Sequence, residues 1–412
     1  MAEPIARMTA VEGKRLLVLG AGPAQLGLLA AARRLGVTVV AADRDPSAPG
    51  FRYADRRAIV SIEDEPALDR LARAERIDGV VAPGSDRPVA IAARIAAKLG
   101  VPHPLAPGSA ALTSSRQRER ERLAEAGIPQ TASVLCRTAE EIRAVARRLG
   151  YPCAVTGADR QGRRILVTGA ETLAAATAQA LAESRTDLCL VEEVVDGLEL
   201  AVNAFSLGGR FHPLTVTDIL SSPLLDVALA LAWPNSADPV LAGAALEAAA
   251  AAVAALGVAE GPSSTQVVLG PEGPLVLRAA ARLGGDHDAE LCRAALGVDL
   301  NALTVRTALG EPVAERELVP AEPVGAACVR FLPAPPGELR RVSGLEEAYA
   351  LPGVRGIRVY RRPGHVFAEL QRPSDRAGAV LAVGAGRGQA LATARRAVEL
   401  IRLDVVDVEA LV

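Results

Sequence analysis

Residues 15–19 (R-L-L-V-L) form an unbroken apolar run that stops at Gly20-Ala21-Gly22, and a second run at 37–42 stops at Asp43. Between them lies a stretch of helical character. Apolar strand, glycine turn, helix and second apolar strand give the period of a parallel sheet buried on both faces. A third unit passes from a helix at 65–75 into Gly79-Val80-Val81-Ala82 and ends in the loop Pro83-Gly84-Ser85-Asp86. The first hundred residues therefore predict a doubly wound α/β module.

The glycine turn invites a dinucleotide-binding assignment, because Asp43 stands about twenty residues beyond it, where an acid would take the ribose hydroxyls. The string is G-A-G-P-A-Q-L-G, however, with Gln25 where a third glycine lets helix and strand close together. The turn is expected to be structural, with Gly20 and Gly22 supplying backbone freedom.

At 412 residues the chain exceeds one minimal core, and with 50% hydrophobic and 23% charged residues it can bury enough apolar surface to exclude whole-chain disorder. Aromatics are only 2%, so the core is built from Ala, Val and Leu. The 46 basic residues nearly balance 48 acidic ones without a Lys/Arg run, which argues against nucleic acid as a partner. Lysine is confined to Lys14 and Lys98, so arginine carries almost all positive charge. The most apolar helix, around 241–258, is mostly Ala and carries Glu247, so no membrane span is expected. The first fifteen residues lack the apolar core of a secretory signal, and the expected location is cytoplasmic. Cys136, Cys153, Cys189, Cys292 and Cys328 are scattered and never in C-x-x-C spacing, the pattern of buried thiols.

From Ser114 the pattern becomes S-S-R-Q-R-E-R-E-R-L-A-E-A-G, a charged helix whose acids and bases fall at helical spacings and read as a solvated surface. Strands at 130–136, 153–156 and 164–167 follow, with a helix at 139–149 and a polar turn, Asp159-Arg160-Gln161-Gly162-Arg163. A helix at 171–183 leads to strands at 188–195, 200–205 and 210–216. A hairpin, 264–269 with 274–277, closes around Gly270-Pro271-Glu272-Gly273, and a Pro/Glu-rich linker at 310–323 introduces a last module.

Four motifs fall in this order: L-A-E-A-G-I-P (123–129), L-G-Y-P (149–152), V-E-E-V-V-D-G-L-E (191–199) and A-R-L-G-G-D (281–286). Together they resemble the ATP-grasp superfamily, and within it the carboxylate-amine ligases that join amino acids. The resemblance runs from about residue 15 to 404. It implies an α/β, ATP-grasp fold: a preATP-grasp Rossmann-like domain with a doubly wound parallel sheet (1–112), a two-subdomain α+β core (113–190 and 191–310) and a small α+β C-terminal domain (311–412).

Such ligases activate a carboxylate as an acyl phosphate, which requires cations at the phosphates. The family's lysine after Tyr-Pro is replaced here by Thr156. Where the family places magnesium-binding carboxylates on the late hairpin, this chain has Ser264-Thr265-Gln266 and Leu277-Arg278-Ala279-Ala280. An arginine 4 Å from a divalent cation is repelled by on the order of 8 kcal/mol at an effective dielectric of about 20. No magnesium is therefore expected at the usual site, and no cofactor is required.

By the same resemblance, Glu192 and Val194 match the adenine-reading strand, Glu199 the ribose acid and Arg116 a phosphate-contacting lysine, so residual ATP or nucleoside binding stays open. Arg282 matches the arginine of the R-x-G-G turn. Arg278 and Arg282 can clamp a carboxylate or phosphate, and Asp286-His287-Asp288 sets a histidine between acids that favour its charged form, as a general acid or base requires. His103, His212 and His365 read as structural. Three functions follow: a family member without ligase activity that binds a small-molecule carboxylate or partners an active ligase; an ATP-independent enzyme using Arg278, Arg282, Asp286 and His287; or an active ligase whose metal ligands are displaced to Asp286, Asp288 or Glu290. A homodimer is the assembly the resemblance implies.

Overall fold

The computed structural model describes residues 11–407 apart from 159–163, 185, 223–224 and 322. The expected polar turn at 159–163 thus lies outside the described residues. The N-terminal module runs β1 (Arg15–Leu19), α1 (Leu26–Arg34), β2 (Thr38–Asp43), β3 (Arg56–Ile59), α2 (Glu65–Ala74), β4 (Gly79–Val81) and α3 (Asp86–Leu99). Its strands pair in parallel in the order β3-β2-β1-β4. The continuous apolar runs are explained by burial on both faces: Leu16, Val18, Val39 and Ala41 join one core, and Leu17, Leu19, Val40 and Ala42 join the other. The sequence pattern leaves β3 unmarked, because R-R-A-I is short, charged and mostly exposed at the sheet edge.

Two helices, α4 (Pro107–Thr113) and α5 (Arg116–Glu125), lead into a small module of β5 (Ser133–Cys136), α6 (Ala139–Leu149), β6 (Cys153–Gly157), β7 (Ile165–Val167), α7 (Ala170–Glu183) and β8 (Cys189–Glu193). Its antiparallel sheet has the order β5-β8-β6-β7. One expectation fails here. Helix α5 is not a solvated surface, because Glu119, Arg120 and Leu123 are buried on one face. Its charges neutralise carboxylates and backbone groups of other elements rather than only one another, which local spacing could not reveal.

The chain then builds β9 (Leu198–Leu207), β10 (Arg210–Ser222), β11 (Leu225–Trp233), α8 (Pro239–Ala255), β12 (Gly261–Gly270), β13 (Gly273–Ala280), α9 (Asp288–Leu296) and α10 (Leu300–Ala308). The last stretch contains β14 (Ala326–Leu332), β15 (Gly337–Ser343), α11 (Leu345–Tyr349), β16 (Val354–Val359), β17 (Val366–Phe367), β18 (Gly378–Gly384), α12 (Arg387–Leu400) and β19 (Arg402–Val406). Among the described residues an eight-stranded sheet, β13-β12-β9-β10-β11-β14-β18-β16, crosses from the hairpin into this last stretch. A smaller sheet, β17-β15-β19, flanks it. The helical segment expected at 241–258 is α8, which packs Ala245 and Ala249 against Leu200, Val202 and Val267 of the large sheet. No helix among the described residues is long and apolar enough to cross a membrane.

Phe205 is fully buried and shares a core with Leu16 of the N-terminal module, Leu291 of α9 and Phe331 of β14. With so few aromatics, its volume cannot be replaced by neighbours. Phe205→Ala should destabilise the fold by about 3–5 kcal/mol, read as a lower midpoint in denaturant unfolding with all three modules affected together.

Candidate functional site

The hairpin register places Gln266 of β12 directly between Ala201 of β9 and Arg278 of β13. The next row along sets Ser264 between Asn203 and Ala280. Side chains two residues apart share a face, so Glu199, Asn203, Ser264, Gln266, Arg278 and Ala280 line one side of the sheet. Helix α8 covers the other side. Along the outer edge of β13, the Val276 N–H donates to the Pro129 carbonyl at 2.9 Å. The Ala279 N–H donates to the Glu119 carboxylate at 2.5 Å. Helix α5 and the segment after it therefore cap an otherwise unpaired strand edge.

Guanidinium groups dominate this junction. Arg116 reaches both Glu192 oxygens through Nη2, at 2.9 and 3.0 Å, and Arg120 reaches Oε1 at 2.6 Å. The Thr156 hydroxyl lies 3.5 Å from the other oxygen. Burial pulls the Glu192 carboxyl upward, but Arg116 and Arg120 outweigh it and hold it below the usual carboxylate range. On the hairpin side, Arg278 and Arg282 both close on Asp86, the first residue of α3 in the loop that follows β4. Burial pushes Arg278 down to about 9 and Arg282 to about 10, so both stay charged at neutral pH. Glu119 is buried between the two groups, and burial raises its carboxyl to about 7. Arg116 and Arg120 thus share Glu192, and Arg278 and Arg282 share the single carboxylate of Asp86, with Glu119, Asp286 and Asp288 also acting on Arg282.

The Asp286-His287-Asp288 segment is not organised as its sequence suggests. His287 is buried at the start of α9 in the left-handed region, φ +63°. Its partners are not the flanking aspartates. Nδ1 lies 3.0 Å from Glu290 Oε1 and Nε2 lies 2.5 Å from the Tyr360 hydroxyl, while the ring stacks on Phe331. Burial tends to raise the Glu290 carboxyl, yet His287 and Arg358 prevail and hold it far below the ordinary range. Asp286 is taken by Arg376 at 2.5 Å, and the Arg376 guanidinium sits 3.6 Å over the Phe331 ring. Asp288 accepts from Asn203 Nδ2 at 3.2 Å, and burial together with Asp286 raises it to about 6. Asp86, Glu119, Arg120 and Tyr360 are participants that the sequence reading did not single out, and Glu290, named there as a displaced metal ligand, pairs instead with His287 and Arg358. Only Glu290, one helical turn after His287, carried a local signal.

Val194 lies in the short segment joining β8 to β9, and Glu199 lies on the same face of β9 as Asn203. The glycine turn after β1 is filled from within. A Cβ on Gly20, at φ +106°, would meet the Gln25 side chain at 2.9 Å, and Gln25 Nε2 donates to the Pro83 carbonyl at 2.6 Å. Asp43 accepts from the Ala21 N–H at 2.8 Å, so this acid braces the turn. The five cysteines are buried, and burial pushes Cys292 and Cys328 up to about 12.

This architecture has clear relatives. Residues 330–406 match the family model "L-amino acid ligase C-terminal domain 2", and 115–201 match "Carbamoyl-phosphate synthase L chain, ATP binding domain". The solved L-amino acid ligase from Bacillus licheniformis superposes with a TM-score of 0.82 at 20% identity, covering 96% of this chain and 100% of that one. The N5-carboxyaminoimidazole ribonucleotide synthetase of Thermotoga maritima gives a TM-score of 0.73 at 20% identity, over 95% of this chain and 100% of its own. The chain shares the ATP-grasp fold of these structures. The uncharacterised protein y4rH of Sinorhizobium fredii is 27% identical over 384 residues, 90% of this chain and 78% of that protein.

An ATP-grasp fold raises the question of magnesium-ATP. At the hairpin this chain offers one neutral amide oxygen, a guanidinium and a methyl group, from Gln266, Arg278 and Ala280, with no carboxylate such as a protein-bound magnesium ion draws on. Among the described residues no group of three His, Cys, Asp or Glu could hold a metal ion. The hairpin side chains therefore do not suit a divalent cation.

Two outcomes test this junction. Glu192→Ala leaves Arg120, 10% exposed, without its counter-charge, and should cost about 3–5 kcal/mol of stability. Glu119 has a higher pKa folded than unfolded, so the native state holds the extra proton. Stability should therefore fall as pH rises from about 4.5 to about 7. Asp288 adds the same slope between its ordinary value and about 6. Thermal unfolding between pH 6 and 7.5 isolates Glu119, and Glu119→Gln should flatten the slope there.

Proposed function

We propose that this ATP-grasp protein binds a small carboxylate or related anion in its cleft with no magnesium at the hairpin, and does not carry out magnesium-ATP ligation there. The observation that carries this is Arg278. It stands on the cleft face opposite Gln266, with its guanidinium joined to Asp86 and a second arginine, Arg282, beside it. Two guanidiniums that share one carboxylate suit an anion, and arginine binds carboxylates and phosphates through paired N–H groups. The protein then serves as an anion-binding homologue of a ligase, or as a partner of an active one.

A nucleoside could lie along the segment containing Val194, with Glu199 below it. Its phosphates would have to compete for Arg116 with Glu192, which already binds that arginine. His287 is enclosed by Glu290, Tyr360 and Phe331, an arrangement that supports holding the 282–288 segment in place more than proton transfer to a ligand. Arg278 and Arg282 therefore carry the anion-binding role, with Asp286 and His287 positioning the turn. A homodimer remains the assembly that the family resemblance suggests.

One observation favours a second function, ligation with displaced metal ligands. Asp288 reaches Asn203, next to Ser264 and Ala280 on the cleft face. Its neighbours argue otherwise, since Asp286 is paired with Arg376 and Glu290 with Arg358 and His287.

Calorimetric titration with ADP, with and without magnesium, separates the two. Metal-independent or absent binding is expected, together with no phosphate release from ATP across pairs of amino acids. Magnesium-dependent micromolar binding with amino-acid-stimulated phosphate release would establish the ligase.

A further inference from the structure

The two-arginine clamp is already occupied by a side chain of the protein itself. Asp86 comes from the loop at the C-terminal end of β4, about 190 residues before its partners, and its side chain is 8% exposed. Arg278 and Arg282 approach its two oxygens separately, Arg278 at Oδ2 and Arg282 at Oδ1, so each oxygen of the one carboxylate faces its own guanidinium. That is how a pair of guanidiniums would hold a free carboxylate. The surroundings support the same geometry. A Cβ placed on Gly285 would meet the Gly84 carbonyl oxygen at 3.5 Å, so the turn after Arg282 packs close to the loop that precedes Asp86. Arg282 also anchors its own turn, donating from Nη1 to the Leu283 carbonyl at 2.8 Å.

We infer that Asp86 is a built-in competitor for the cleft's anion: the N-terminal module supplies the carboxylate that Arg278 and Arg282 would otherwise offer to a ligand, and the fold described here is the self-liganded form. This rests on the anion-binding function proposed above and adds its regulation. An intramolecular group competes at an effective concentration of millimolar or more, so a simple external anion meets two guanidiniums that Asp86 already engages. The ligand able to displace it is one with two or more negative charges, a phosphate or a dicarboxylate, which gains more from two guanidiniums than one aspartate does. Release of Asp86 would also uncouple the loop after β4 from the 282–285 turn, linking ligand binding to the seating of the N-terminal module against the hairpin.

The test uses the full chain in metal-free buffer with two probes, inorganic phosphate and malonate, titrated calorimetrically. Asp86→Asn keeps the shape and removes the charge. It should bind at least one probe about tenfold or more tighter than the unmodified protein, as expected when an internal competitor is lost. The probe that gains more identifies phosphate or carboxylate as the preferred chemistry. Adding Arg278→Gln to Asp86→Asn should abolish the gain, and Asp86→Glu, which restores a carboxylate, should bind as weakly as the unmodified protein. If Asp86→Asn does not fold alone because two cations are left facing each other, phosphate or malonate in the refolding buffer should restore it.

Equal affinities in the unmodified and Asp86→Asn proteins, a gain that survives loss of Arg278, or an unfolded variant that neither anion rescues would overturn the inference. These results are independent of the nucleotide titration. Magnesium-dependent ADP binding would defeat the metal-free function while leaving the Asp86 comparison to be judged on its own ratio.

Discussion

A buried guanidinium cannot shed its charge in the physiological range, so each one the chain encloses must be met by a carboxylate or by a run of carbonyl groups. That requirement organises this molecule. Arg120 and Arg116 tie helix α5 to Glu192 of β8, and Arg278 and Arg282 tie the hairpin to Asp86 of the N-terminal module. Arg376 binds Asp286, while Arg387 reaches the fully buried Asp218 of β10 from the start of α12. Each pair joins elements far apart in sequence. The scarcity of lysine follows the same logic, since a planar guanidinium that bonds in two directions suits buried positions better than a compact, strongly hydrated ammonium.

These pairs specify arrangement more than they add stability. Removing one partner is costly because a charge is stranded, whereas the intact pair repays little beyond its own desolvation. The apolar framework provides the cohesion: the doubly covered parallel sheet, the Ala-rich helix α8 behind the hairpin, and a core shared by the N-terminal module, α9 and the last stretch of chain. The ion pairs then fix how these bodies meet along the cleft. At the hairpin, two of these guanidiniums share the one carboxylate of Asp86.

Much of this was legible in the sequence, and the remainder has a common physical cause. Apolar runs at 15–19 and 37–42 identified the parallel sheet, and Gln25 in place of a third glycine marked the turn after β1 as structural. Those signals are local, because each depends on neighbouring residues. Long-range charge partners are not local: nothing near Asp86 points to Arg278, and nothing near Arg120 points to Glu192. Helix α5 shows the difference most clearly, since its acids and bases satisfy the spacing of a solvated helix while Glu119 and Arg120 are buried against other elements. His287 shows it again, with flanking aspartates that suggest a charge relay and actual partners, Glu290 and Tyr360, that arrive from the next helical turn and from β16's far end.

The function proposed here requires that the hairpin carrying Arg278 hold no divalent cation. The most direct measurement is anomalous diffraction from crystals grown with manganese and ADP, because manganese replaces magnesium at oxygen sites and scatters distinctively. No anomalous peak is expected beside Gln266 and Arg278, with the two arginines still bound to Asp86 or to an anion. A fully occupied manganese peak bridging ADP and this hairpin would contradict that function.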